Sequence, residues 1–349
     1  MFVNSIKCGD TVKNESAMFV GSDRVKLLYP ARRVIRVCNE VTGEVWQENV
    51  DWSFDEKNNE LIRLAGSRMP FMSIEEMALP DEQAIYYPEP GANSVPGRIG
   101  GGNVRFDAGS FFAEHQVEID YEAAADAVLV PGYGANAGKR LPAFRAKLSA
   151  GKNVRITALG DSITEGYNSG KFIGFAPYRK PWVELFAEDI ARRFQLQCDL
   201  RNRGINGESS DASLRKPELL EGSSDLWIIA YGMNELGRAP QEYIATIREV
   251  ISKISAADPA AEFLLVTPMS GYDQWEYTPV AKTLAFAQAL REFCDAAGEN
   301  ILCADVSSLW QAILQHKSFY DITGNGVNHP NDYSHTIYAA GLAMLFPGR

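Results

Sequence analysis

Two patterns of apolar and polar positions divide the chain. Up to about residue 130 the apolar positions come in short runs: Val25–Tyr29, Arg33–Cys38, Glu44–Gln47 and Glu60–Arg63. Turn formers separate them, among them Gly21-Ser22-Asp23, Pro30, Thr42-Gly43 and Asn58-Asn59. Val104–Phe106 and Gln116–Tyr121 alternate apolar with polar, as half-buried strands do. Apart from a turn at Ser73–Met77, long helical periodicity is missing, so residues 1–130 are expected to form a jelly-roll-like β-sandwich. Pro88–Gly102, rich in glycine and proline, reads either as a surface loop or as a loop reaching over the rest of the chain to shape a substrate mouth.

Residues 131–152 read as a connector. A flexible Gly132–Gly138 stretch precedes Leu141, Phe144 and Leu148 at helical spacing, and Gly151 is a fitting stop. From residue 153 to 349 the pattern changes to apolar strands alternating with amphipathic helices. The strands are expected at Val154–Leu159, Cys198–Asn202, Leu226–Tyr231, Phe263–Thr267 and Ile301–Val306. The helices are expected at Trp182–Phe194, Gln241–Ala256, Val280–Ala297, Ser308–Gln315 and Ser334–Phe346. That alternation predicts an α/β class, a five-stranded parallel sheet in a three-layer α/β/α domain. In such sheets ligands bind beyond the carboxyl ends of the strands. Polar motifs should therefore follow strands.

They do. Gly160-Asp161-Ser162 follows the first strand, Asn202–Ser210 the second, and Gly232-Met233-Asn234-Glu235 the third, while Asn328–Asp332 precedes the last helix. Ester cleavage by a serine needs a base that titrates near neutrality, and His329 is of that type. The tetrahedral intermediate needs fixed N–H donors. The Ser162 and Gly207 amides and the Asn234 side chain would supply three, and a residue without Cβ at 207 lets substrate approach the backbone. Asp161 is expected to organise the serine turn by local hydrogen bonding. Tyr167, Trp182, Tyr272 and Trp275 fall in or near the loops after strands, as packing or as a platform for a sugar ring.

Composition narrows the function classes. A net charge of −11 gives no basic face for nucleic acid or an anionic membrane as the main partner. The five scattered cysteines, with no CxxC, read as reduced thiols rather than a disulfide framework, and they show no metal-ligand spacing with the four histidines. No cofactor is expected. Neither a basic start with a long apolar run nor a membrane-length apolar stretch is present, which favours a soluble, cytoplasmic protein, with secretion open if the natural start was trimmed.

With these residues in hand, the region from about 154 to 346 resembles the SGNH hydrolases, or GDSL-type esterases. GDSIT carries Ser162, NRGINGES carries Gly207, GMNE carries Asn234 and NHPND carries His329, in family order. The β-rich region ahead of it resembles the sandwich that precedes this domain in some carbohydrate-esterase-like members. The resemblance implies a serine esterase acting on small acyl groups, acetyl first, on a carbohydrate. A thioesterase or lipid-directed esterase with the same residues is the neighbouring reading, and an impaired carbohydrate-binding protein the rival. Two positions depart from the family. Glu235 stands where the third block has aspartate, and Gly326 stands three residues before His329, where the family has the acid that orients the histidine. A backbone carbonyl near Asn325–Val327 giving a Ser–His dyad, Asp332 swinging back, an Asp332–His335 pair, or an impaired enzyme are the ways to fill that gap. His335, among Ile337, Tyr338 and Leu342, reads as structural.

Overall fold

The computed structural model describes residues 11–124, 128–135, 137–235 and 237–348. Cys8 and the start of the chain lie outside them. A parallel five-stranded sheet carries the C-terminal half, in the order Cys198–Gly204, Val154–Gly160, Leu226–Ala230, Phe263–Val266, Ile301–Ala304. Its three central strands are apolar on both sides, as burial between helix layers requires: Leu159, Trp227, Ile229, Phe263 and Leu265 face one core, Ile156, Ile228, Leu264 and Val266 the other. Helices Trp182–Phe194, Pro240–Ala257, Val280–Ala296, Val306–Leu314 and Asp332–Met344 complete the layers. Each lies within two residues of its expected position at both ends. Pro240–Ala257 shows why: Pro240 sits at its first turn, and Tyr243, Ile247, Val250, Ile251 and Ile254 recur every three or four residues on its buried stripe.

The chain leaves Val154–Gly160 for the strand on one side, then crosses to Leu226–Ala230 on the other. The first strand is thus the point where strand order reverses. Loops leaving the three neighbouring strands diverge there and leave a crevice.

The N-terminal region is a small β-sandwich. Four antiparallel strands run Thr11–Ala17, Val117–Ala123, Ala31–Asn39, Glu44–Trp46, and three more run Arg24–Lys26, Glu60–Arg63, Trp52–Asp55. Sequence reading misses Thr11–Ala17, whose TVKNESA lacks clean alternation. The reason is a buried polar role: Glu15 and Ser16 point inward to partners across the molecule. The Glu15 carboxylate accepts from Lys317 Nζ at 2.9 Å, from Tyr121 Oη at 2.6 Å and from the Leu28 amide at 2.9 Å, with both ends of the ion pair fully buried. A buried pair is kept only when its remaining hydrogen-bonding capacity is filled, as here.

One apolar core runs from the sandwich (Val12, Trp46, Tyr121) into the C-terminal layers (Phe319, Ile322, Tyr333). The connector helix Pro142–Ser149 buries Phe144 and Leu148 as its spacing predicts. Cys38, Cys198, Cys294 and Cys303 are free thiols. Among the described residues no helix is long and apolar enough to cross a membrane.

Candidate functional site

Ser162 is the first residue of a short helix, Ser162–Glu165, that starts immediately after the first strand. Its N–H belongs to the set that a helix start leaves without intrahelical partners. Asp161 caps the turn, accepting from the Ile163 amide at 3.0 Å as expected, and burial pushes its carboxyl up to about 7. Ser162 Oγ lies 2.8 Å from His329 Nε2. Gly207 and Asn234, arriving on the loops after the two flanking strands, line the same cleft of about 170 Å³. Asn234 Nδ2 donates one hydrogen to the Glu208 carbonyl at 2.9 Å, and the second stays available, because an amide NH₂ has two. Glu235 keeps out of the cleft: it accepts from the Ser210 amide at 2.5 Å and pairs with Arg238 at 3.3 Å. The departure from aspartate leaves Asn234 in position.

His329 sits on a turn built by Asn325, whose Oδ1 accepts from the Val327, Asn328 and His329 amides at 2.9 to 3.0 Å. The far ring nitrogen, Nδ1, meets Asn168 Oδ1 at 2.7 Å. This corrects the expectations about the histidine's orienter. The ring nitrogen's partner is this side chain and not a backbone carbonyl of the turn: Asn325 O accepts from the Asp107 amide and Val327 O from the Tyr272 amide. Asp332 does not reach the ring. Three residues on, the chain has already entered the last helix, and the Asp332 carboxylate accepts from the Gly170 amide at 2.8 Å. Its burial pushes that carboxyl up to about 7. Nor does Asp332 pair with His335. His335 is buried, accepts from the Trp182 amide at 3.3 Å and lies 3.1 Å from the Tyr167 carbonyl, a structural role as expected.

Sequence reasoning does not single out Asn168. Its one local signal is residue type: in GYNS an asparagine takes the left-handed backbone, φ +61°, which asparagine tolerates better than most.

Gly326 shows why the family's acid is missing. Its φ is +87°, and a Cβ there would run into the Arg105 carbonyl and lie 2.5 Å from the Phe112 ring. The N-terminal region packs directly against the back of the histidine turn. It also forms one wall of the cleft through Tyr87, Val95, Phe106 and Ala108. The Pro88–Gly102 stretch contains half of a hairpin, Ser94–Pro96 against Asn103–Arg105, docked on the 274–276 loop. There the Ile99 amide donates to Gln274 O at 2.8 Å, and Trp275 Nε1 to Pro96 O at 3.0 Å. Of the four aromatic candidates, Tyr167 and Trp275 line the cleft, whereas Trp182 is wholly buried and Tyr272 bonds Tyr320.

Burial pushes His329 down to about 3, with nearby His335 adding to the shift. The ring is therefore neutral at pH 7 and able to accept a proton from Ser162.

The family model of the GDSL-like lipase/acylhydrolases matches residues 158–337, over half of the chain. Among solved structures, the chain is similar to the acetylxylan esterase Axe2 from Geobacillus stearothermophilus, with 18% identity and a TM-score of 0.47 over 58% of this chain and 97% of that one. It is similar to LAE5, an alpha/beta hydrolase from the metagenome of Lake Arreo, with 20% identity and a TM-score of 0.44 over 55% and 94%. A two-domain esterase active on acetylated mannans matches at 20% identity and a TM-score of 0.44 over 57% of this chain and 50% of that one. No curated protein matches the sequence. The family match spans all four sequence blocks, and the residues of those blocks meet in one cleft: the chain belongs to the GDSL-like lipase/acylhydrolase family, the SGNH hydrolases, and is an ester hydrolase.

Proposed function

We propose that this hydrolase removes small acyl groups, acetyl foremost, from a carbohydrate, with Ser162 as nucleophile and His329 as base. The 2.8 Å contact between Ser162 Oγ and His329 Nε2, in a cleft also lined by Gly207 and Asn234, carries the reading. His329 takes the Ser162 proton as Oγ bonds to the acyl carbon. The carbonyl oxygen becomes an oxyanion, facing the Ser162 and Gly207 amides and the second Asn234 hydrogen. His329 then gives its proton to the sugar oxygen as the ester C–O bond breaks. Water then attacks the acyl-serine as the same ring takes its proton, and the ring returns that proton to Ser162 Oγ as the acyl–Oγ bond breaks and the acid leaves.

The substrate class rests on the cleft's size and rim. A space of about 170 Å³ with mostly apolar walls suits a short acyl chain. Trp275, half-buried, and Tyr87, exposed, stand at its edge as faces for a sugar ring. In this reading residues 1–130 are an accessory layer that completes the mouth, and 153–349 the catalytic domain. Turnover of p-nitrophenyl acetate is expected to exceed that of the octanoate ester at least about tenfold, a difference of about 1.4 kcal/mol in transition-state binding. A preference for the longer ester would favour a lipid-directed enzyme. Trp275→Ala is expected to raise KM for an acetylated oligosaccharide about five- to tenfold while leaving p-nitrophenyl acetate within twofold. An equal loss on both substrates would remove the platform.

The pH profile tests the base. Only neutral imidazole accepts the serine proton, and burial, by disfavouring the charged form, keeps His329 neutral into acid. We expect kcat/KM at pH 5 to stay within about threefold of its value at pH 7. A base titrating at the ordinary ~6.5 would lose about 25-fold over the same range.

A further inference from the structure

We infer that Asn168 is the positioning residue of this active site, its neutral amide standing where the family carries an acid; the inference rests on the Ser162–His329 reading above. Four observations support it. First, the amide's orientation is determined by its partners. Asn168 Nδ2 donates to the Gly324 carbonyl at 3.0 Å, and a carbonyl can only accept, so the Oδ1 end must face His329 Nδ1 at 2.7 Å. Second, that acceptor selects the tautomer. Nδ1 carries the ring hydrogen, which leaves the lone pair of Nε2 aimed at Ser162 Oγ, the arrangement a proton acceptor needs.

Third, Asn168 is held rigidly. It is 3% exposed, in the left-handed backbone between Tyr167 and the Ser169 cap of the next helix. Gly324, its second partner, belongs to the same turn as His329, and the Gly324 amide donates to the His329 carbonyl at 2.9 Å. One amide thus grips both the imidazole and the turn that presents it. Fourth, the usual position is closed: at Gly326 the Arg105 carbonyl and Phe112 occupy the space of a side chain. The orienting group has to come from another element, and the loop leaving the Ser162 helix passes the ring.

The amide does what a carboxylate here could not. An aspartate at 168 would set a second oxygen against the Gly324 carbonyl, where asparagine donates. Asparagine serves both contacts at the cost of a weaker, uncharged acceptor. During the reaction the imidazolium's positive charge is therefore balanced chiefly by the oxyanion beside it.

The experiment compares wild type with Asn168→Ala, Asn168→Asp, Asn168→Gly and Ser162→Ala on p-nitrophenyl acetate. Asn168→Ala is expected to lower kcat about 100-fold or more with KM within threefold. Asn168→Asp, which retains an acceptor for Nδ1, should recover at least tenfold of that loss. In Asn168→Gly, formamide, which can both accept from Nδ1 and donate to Gly324, should restore activity better than acetone, which can only accept. Nitrogen-15 spectra of His329 should show the Nδ1–H tautomer in wild type and in Asn168→Asp, and its loss in Asn168→Ala. Wild-type kcat in folded Asn168→Ala overturns the inference. So does an Asn168→Asp enzyme as slow as Asn168→Ala, since the Gly324 contact alone would then account for the loss. Full activity in Ser162→Ala would instead overturn the reading beneath it.

Discussion

Ser162→Ala is expected to lower kcat about 10⁴- to 10⁶-fold and to leave the fold unchanged. The substitution removes the nucleophile's oxygen and little else. Ser162 is buried at the start of a four-residue helix whose turn is held by Asp161, and its Oγ makes its contact with His329 rather than with the backbone. An alanine there costs a single hydrogen bond, about 1 kcal/mol. His329→Ala should fall by a comparable factor, and the double variant by little more than either single one, because the two side chains act as a unit. Circular dichroism and thermal melts verify the fold. The rates come from p-nitrophenyl acetate with a pre-steady-state burst, which wild type should show and both variants should lack. If Ser162→Ala kept kcat within tenfold of wild type, the nucleophile would have to be sought elsewhere.

Gly326→Asp, which restores the family's residue, is expected to unfold or severely destabilise the protein rather than improve it. Three costs coincide. The backbone sits at φ +87°, where a side chain adds about 1–2 kcal/mol of strain. The Cβ would overlap the Arg105 carbonyl and press on Phe112, a wholly buried ring, for another ~1–3 kcal/mol. The carboxylate would then enter a buried turn whose amides are already engaged, Gly326 N with Thr323 Oγ1 and three more with Asn325. Together these reach several kcal/mol, a large share of the ~5–15 that stabilise a domain. Urea melts of wild type, Gly326→Asp and Gly326→Ala separate the terms, since alanine carries the strain and overlap without the charge. A Gly326→Asp protein as stable as wild type, and faster, would mean that the turn opens to admit the acid.

That glycine marks where sequence reading stops. GDSIT, NRGINGES, GMNE and NHPND are legible because each is a short stretch with a local job: ending a strand, turning tightly, and offering a polar group at the sheet's carboxyl edge. The helices are legible for a similar reason, since their buried stripe repeats along the chain, as Tyr243, Ile247, Val250 and Ile254 do. Thr11–Ala17 is not, because Glu15 and Ser16 are buried for the sake of Lys317 and Asp321, about 300 residues away.

The sequence by itself determined the α/β class, the parallel order of strands and helices, and a serine, glycine, asparagine and histidine at strand and loop ends. These follow from periodicity and local turn chemistry, which act over a few residues. Only the tertiary structure decided which group holds His329, which wall closes the cleft, and why Gly326 carries no side chain. Asn168 lies 161 residues from His329, and Arg105 and Phe112 more than 200 from Gly326. Such partners meet because two layers pack on one core. Packing selects them by shape and by unfilled hydrogen-bonding capacity, neither of which leaves a period or a spacing along the chain.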